Sequence, residues 1–453
     1  MSFQTNQSQQ TSNQTNLGHS NRPAFRVMEM FAGIGGFHQG LQRANSAMRA
    51  LAQPASFQVV WANQWEPSRK AQHAADIYTK RTGLQVVNRD INDVLADRAE
   101  LQRLDDLAPN MLIGGFPCQD YSVANTGAAG LAGAKGSLWW SIHHMLQQRL
   151  DAAAPIETVL LENVDRILAS PKGTPGSDFA VILASLQSLG YAVMWQVVNA
   201  ADYGYPQRRR RCYILAFHES TGQHAECVDA AAQARAWLVQ RSPLARAFPV
   251  QADGRLASFA LGDDFQEAQR QYRTTAAGKT QFGSAGLCVG GHVWTIPTKA
   301  APASDCTEFV GQPSPLTLGD VVAGTQHVPA SCFIEDEELQ RWTYLKGAKC
   351  IPRVAKTGYE YNFTEGAMPF PDRLDRAART IITSELGGAA ARTRHVVRHG
   401  DGRLRRLTAE ELEAAFQFPR GYTDGLSDAQ RSLLLGNAVM PGVIERIARV
   451  IAD

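Results

Sequence analysis

The sequence predicts an α/β fold with a second, irregular domain, and three observations carry that expectation. A strand, a glycine-rich turn and a helix follow one another between Phe25 and Leu51. Short apolar runs then recur up to Phe217, several of them ending in polar residues. From about His218 to Ala391 the alternation stops, and short segments with Gly and Pro turns replace it.

The bulk composition sets limits. A chain of 453 residues, 44% hydrophobic and 19% charged, has room for two or three domains with a sizeable core. No apolar run approaches the roughly 18 residues of a membrane span, and no basic-then-apolar leader opens the chain, so a soluble cytoplasmic protein is expected. Seven scattered cysteines without a C-x-x-C pair argue against a disulfide framework and a zinc site. A net charge of +2 means that affinity for nucleic acid must come from local basic clusters. Residues 1–24, mostly Gln, Asn, Ser and Thr, read as a disordered polar tail.

The first unit is Phe25–Phe31, then Ala32-Gly33-Ile34-Gly35-Gly36, then a helix from about Phe37 to Leu51. The third glycine of a dinucleotide fingerprint is missing, because His38 stands there, which points to a smaller nucleoside ligand. A second strand, Gln58–Ala62, ends at Asn63-Gln64-Trp65-Glu66, where an acid suits a ribose and a tryptophan an adenine face. A third strand end is read at Val86–Ile91, with Asp90 as acceptor for an exocyclic amine. Met111-Leu112-Ile113 forms a buried strand; Gly114 and Gly115 then permit a sharp turn, and Pro117 stiffens the backbone before Cys118. The Gly- and Ala-rich stretch Asn125–Gly136 has the composition of a closing lid, followed by a helix from Ser137. Thr158–Leu161 ends in Glu162-Asn163-Val164, a carboxylate on the same rim as the cysteine. After the strand Tyr191–Val198, four arginines (Arg208 to Arg211) precede the strand Cys212–Phe217, a costly placement unless they meet polar partners. A capping box, Thr408 with Glu411, opens a late helix, and a final amphipathic helix runs from about Pro441 to Ile451.

Taken together these segments resemble the cytosine-5 DNA methyltransferases of bacterial modification systems, over 25–217 and 376–453. Phe31-Ala32-Gly33-Ile34-Gly35-Gly36 is similar to the cofactor loop of that family, and Gly115-Phe116-Pro117-Cys118-Gln119 to its nucleophile motif. Glu162-Asn163-Val164, Gln207 to Arg211 and Gly436-Asn437-Ala438-Val439 complete a set of five motifs in family order. The resemblance implies a methyltransferase domain of Rossmann-like build: main part 25–217, target recognition domain 218–391, return segment 392–453. It implies double-stranded DNA as substrate, S-adenosylmethionine as methyl donor, monomeric action and, in such systems, a cognate restriction endonuclease acting on the same site.

The chemistry needs the residues that the resemblance marks. C5 of cytosine becomes nucleophilic only when a thiolate adds to C6, the role of Cys118. Charge left on the ring is neutralised near N3 by a carboxyl, Glu162. By resemblance Arg209 holds O2 and Arg211 orders the site. A base inside a duplex is out of reach, so it must be flipped out. For the cofactor the resemblance implies Phe31 and Trp65 around the adenine, Asp90 and Ile91 at its edge, and Glu29 with the Gly33 and Gly35 amides at the methionine. Pro117, Leu138 and Asn437 complete that set. Gln64 stands where the family commonly has an acid, so the ribose falls to Gln64 or to Glu66, two residues on. A tRNA methyltransferase and a catalytically silent DNA binder share the fold and are the competing readings.

Overall fold

The computed structural model describes residues 24–54, 56–116, 137–262, 264–302, 314–355 and 358–453. The polar tail through residue 23, the Asn125–Gly136 stretch, Pro117 and Cys118 lie outside the described residues. Among the described residues no helix is long and apolar enough to cross a membrane.

Nine strands form the central sheet. The first six are β1 (Phe25–Met30), β2 (Phe57–Asn63), β3 (Met111–Gly115), β4 (Thr158–Val164), β5 (Tyr191–Asn199) and β6 (Arg210–His218). β7 (Val250–Ala252) stands apart; β8 (Ala257–Ala260), β9 (Ala285–Val289) and β10 (His292–Ile296) rejoin the sheet, in the order β2-β1-β3-β4-β6-β5-β9-β10-β8. The β2–β1–β3–β4 run is parallel and the rest antiparallel. Both faces are covered, which explains why the central strands read as unbroken apolar runs. Val27, Ile113, Leu160, Met194 and Leu215 share one core with helix α1 (Gly36–Ala50) and the closing helix Pro441–Ala452. Met28, Leu112, Leu161, Val193 and Ile214 share the other with residues of the helices Ser137–Asp151 and Ser177–Gln187.

Three expectations change. Val86–Ile91 is not a strand but a single bridge from Val87 to Asn63, because Asp90 caps a helix whose first residue is Ile91. Gly114 and Gly115 belong to β3 rather than to a turn, and Gly114 is needed because a Cβ there would lie 2.6 Å from the Met30 carbonyl oxygen. The region after 217 is not wholly separate either: β9 pairs with β5, so residues up to 296 extend the catalytic sheet. Their sequence concealed it because the pairing joins residues about ninety positions apart.

The return segment is locked onto the first half. A Cβ on Gly36 would sit 2.4 Å from the Val439 carbonyl oxygen and one on Gly40 2.5 Å from Ile444 Cβ, so only glycines allow this approach. Tyr422 donates to the Ile34 carbonyl (2.8 Å) and Tyr205 to that of Gly442 (2.6 Å). Three two-stranded pieces stand outside the central sheet. β11 (Thr298–Ala300) pairs with β7, β12 (Lys349–Val354) with β13 (Glu360–Glu365), and β14 (Val396–Arg398) with β15 (Leu404–Arg406).

Candidate active site

The carboxyl ends of β1, β3 and β4 meet on one rim. Register sets Gly115 opposite Glu162, so a carboxylate stands beside the strand that leads to the cysteine loop. Glu162 Oε2 lies 3.5 Å from where a Gly115 Cβ would be, an ordinary contact that sets the carboxylate directly beside this position. The buried Phe116 ring lies against Trp139 at 5.7 Å. Asn163, fully buried, donates from Nδ2 to the Phe116 carbonyl (3.3 Å), while its Oδ1 accepts from the Val164 amide (2.8 Å). This side chain therefore ties the acid's strand to the base of the nucleophile loop. Its role was not read from the sequence, although it sits within the Glu162 motif.

The four arginines divide sharply. Arg211 Nε lies 2.8 Å from Glu162 Oε1, both side chains mostly buried. Arg210 pairs with Asp165 at 2.8 Å near the surface, and Arg208 is exposed. Arg209 is buried and donates to the carbonyls of Ala438 (2.8 Å) and Gly436 (3.2 Å), with Phe416 beneath it at 5.0 Å. Thus the guanidinium beside the acid is that of Arg211, and Arg209 clamps the Gly436-Asn437-Ala438 motif. A Cβ on Gly436 would lie 2.6 Å from the Thr383 amide nitrogen, so the motif's glycine admits a neighbouring backbone. Arginines of the return segment are likewise engaged internally. Arg405 makes a bidentate pair with Glu411 (2.7 and 2.8 Å), and Arg392 binds the Leu345 and Gly347 carbonyls.

Most of the residues expected around a cofactor lie at the ends of β1 and β2 and in the segments after them. Phe31, Gly33 and Gly35 all have positive φ (56°, 55° and 86°), which curls the loop so that the Gly35 amide donates to the Ala32 carbonyl (2.9 Å). The Gly33 amide donates to Gln64 Oε1 at 2.8 Å, so Gln64 braces that loop. Nothing lies within 4 Å of a Gly33 Cβ, so the space above the loop is open. Trp65 is 38% exposed, a large apolar surface left uncovered beside it. Glu66 reaches Arg69 only at 4.0 Å. Asp90 Oδ1 accepts from the Asn92 amide, and the Ile91 side chain is buried. Leu138 is half-buried, and Asn437 is exposed at the end of the helix Asp428–Asn437.

Beneath the loop runs a buried chain of polar groups. Tyr78 donates to Glu29 Oε2 (2.8 Å) and lies 2.9 Å from His38 Nδ1. Burial pushes the Glu29 carboxyl up to about 8, and pushes the His38 imidazole down to about 4. Glu29 Oε1 has no hydrogen bond among the described residues. Tyr78 carries no motif, and no local signal reveals it.

This arrangement has relatives. The profile of the family described as C-5 cytosine-specific DNA methylase matches residues 25–282. The chain is 35% identical to the type II methyltransferase M.Sau3AI of Staphylococcus aureus, across 94% of this chain and 95% of that one. It is 29% identical to the type II methyltransferase M.NgoBI of Neisseria gonorrhoeae, across 43% of this chain and 51% of the other. Among solved structures, the Dnmt2 methyltransferase of S. pombe superposes with a TM-score of 0.54 at 14% identity, covering 94% of this chain and 98% of that one. The EhMeth methyltransferase of Entamoeba histolytica gives 0.53, also at 14%, over 95% and 99%. At that identity the structures speak for the fold alone. The profile match over more than half the chain and the near full-length relative go further: this chain belongs to the C-5 cytosine-specific DNA methylase family.

Proposed function

We propose that the protein transfers a methyl group from S-adenosylmethionine to C5 of a flipped-out cytosine in double-stranded DNA, through a transient bond between Cys118 and C6. The observation that carries this reading is the Glu162–Arg211 pair in register with the strand leading to Cys118. The Cys118 sulfur adds to C6, and the electron pair released moves through the ring toward N3. Glu162 hydrogen-bonds N3, and Arg211, at its side, faces O2 and limits the charge that builds there. Arg209 acts one layer below, holding the 436–438 backbone in place. C5 then takes the methyl group as the donor's sulfur–methyl bond breaks and leaves a neutral thioether; loss of the C5 proton to water lets the C6–sulfur bond break and returns the thiolate.

The residues present fit the cofactor: open space over Gly33, the uncovered Trp65 face and the buried Glu29 carboxyl, whose Oε1 has no hydrogen bond among the described residues. When bound, that group supplies an electrophilic methyl on sulfur. Phe31 and Trp65 enclose the adenine, and Asp90 and Ile91 meet its edge. Either Gln64 or Glu66 would hold the ribose, and Glu29 with the Gly33 and Gly35 amides would take the methionine end. Pro117, Leu138 and Asn437 close the pocket.

The matched relatives are named type II methyltransferases, and we place this chain in that class. It marks one short motif as a monomer at the nucleoid, beside an endonuclease that acts on the same site. The test is expression in a host that lacks cytosine methylation, with 5-methylcytosine mapped at base resolution. Marks confined to one motif, lost in Cys118→Ser while duplex binding persists, are expected. A blank map with soluble protein present, or marking that survives Cys118→Ser, would defeat the proposal.

A further inference from the structure

Helix His73–Thr82 brackets the glycine loop from several sides. Gln72, just before it, accepts from the Glu66 amide and donates to the Glu66 carbonyl, both at 2.9 Å. Thr79 Oγ1 accepts from the Val86 amide at 3.4 Å. Arg81 donates to the Tyr422 carbonyl (2.6 Å) and to that of Gly421. Between them Tyr78, fully buried, donates its hydroxyl to Glu29 Oε2, 2.8 Å away. A Cβ on Gly35 would lie 3.2 Å from the Tyr78 ring and 3.4 Å from the Tyr422 hydroxyl, so these two tyrosines close on the loop. One short helix thus fixes the segment after β2, the loop and the return segment, and Tyr78 is where it meets a carboxyl.

Glu29 is fully buried on β1, with β2 and β3 paired on either side. Three titratable groups face it: Tyr78, His38 of α1 and Tyr422 of the return segment. None brings a positive charge. Burial pushes His38 down to about 4, which keeps it neutral, and pushes both phenols up. Arg81 is engaged with two carbonyls and with the Tyr422 ring, 5.3 Å away. Neutral His38 donates from Nδ1–H to the phenol oxygen, and Tyr78 donates to Oε2. The chain ends at Oε1, which has no hydrogen bond among the described residues. A carboxyl this dry keeps its proton, and since Oε2 already accepts, the proton sits on Oε1.

We propose that the cofactor's methionine end enters by proton exchange: its ammonium replaces the proton on Glu29 Oε1, and Tyr78 is the positioning residue that holds Oε2 meanwhile. The inference rests on the S-adenosylmethionine reading above and extends it to how that group is admitted. Charge balances: a neutral acid and an ammonium become a carboxylate–ammonium pair, and one proton leaves to solvent. The ammonium compensates a charge that burial alone forbids, and the Tyr78 hydroxyl supplies the carboxylate with a second hydrogen bond. Binding therefore strengthens as pH rises, and a nucleoside without the amino-acid part draws out no proton.

The test is calorimetric titration of the full chain with S-adenosylhomocysteine, which carries the same ammonium, and with 5′-methylthioadenosine, which lacks it. Each is run from pH 6 to 8.5 in two buffers of different ionisation enthalpy, so that released protons are counted. In the wild type about one proton leaves per S-adenosylhomocysteine at pH 7 and about half at pH 8. Affinity rises about tenfold between pH 6 and 7. Glu29→Gln releases none, and its affinity is flat across this range. Tyr78→Phe removes a bond that favours the ionised carboxyl, so the count at pH 8 climbs toward one. That variant binds S-adenosylhomocysteine about tenfold more weakly at pH 7, with its affinity for 5′-methylthioadenosine unchanged. Equal losses for both ligands mark Tyr78 as merely structural and overturn the inference. Should Tyr78→Phe not fold, His38→Leu reports on the same chain. Losing the donor behind the phenol raises the count at pH 8 in the same direction, and an unchanged count overturns the positioning role. Wild-type protein that binds neither ligand sinks the cofactor reading and the inference together; binding without proton release sinks the inference alone.

Discussion

Replacing Glu29 by Gln tests the buried chain under the glycine loop. Gln keeps an acceptor for the Tyr78 hydroxyl, 2.8 Å away in the native protein, but cannot ionise. Burial raises the Glu29 carboxyl from its ordinary 4.5 to about 8. A raised folded value means that the native state holds a proton the unfolded chain has released. Stability from this group is therefore complete below pH 4.5 and drains away as pH climbs to about 8. At about 1.4 kcal/mol for each pH unit, the ceiling is roughly 5 kcal/mol. His38 opposes this at lower pH: held neutral from 6.5 down to about 4, it makes stability rise with pH in that interval. The window from pH 6.5 to 8 therefore isolates Glu29. Thermal unfolding of wild type and Glu29→Gln from pH 5 to 9 is the assay. The two Tm values should be close at pH 5 and diverge by several degrees, with the variant higher, by pH 8.5. Parallel profiles across that window would show that Glu29 is ionised in the native protein and refute the reasoning.

Two further substitutions separate the roles of neighbouring residues. Arg211→Ala should lower kcat on duplex DNA by about 10²- to 10³-fold with a small change in Tm, whereas Arg209→Ala should cost about 1–3 kcal/mol of stability by orphaning two buried carbonyls. Equal effects of both on stability and turnover would erase the division seen between Glu162 and the 436–438 clamp. Trp65→Ala removes an exposed ring, so Tm should hold while the KM for S-adenosylmethionine rises about tenfold, in line with a lost stacking contact. An unaltered KM would place the adenine elsewhere.

Much of this protein is written locally. Apolar runs such as Met111–Ile113 and Thr158–Leu161 are buried on both faces, and their positions need only the side chains themselves. The Thr408–Glu411 capping box formed as read, because a cap joins residues three apart. Gly33 and Gly35 marked a loop that needs positive φ.

Where residues distant in the chain must meet, sequence patterns are silent. Four consecutive arginines look alike on the page, yet Arg211 faces Glu162 while Arg209 faces carbonyls more than two hundred positions away. β9 looks like part of an irregular domain until β5 supplies its partner. Glu29, Tyr78 and His38 carry no shared motif, and only the packing of β1 against two helices joins them and strips them of water. Sequence by itself therefore determined the motif order and most of the elements up to residue 217, since each follows from residue type and short-range spacing. The tertiary structure alone decided which arginine pairs with Glu162 and which meets backbone carbonyls, where the sheet ends and which ribbon stands free, because burial and charge pairing belong to surfaces that exist only after folding.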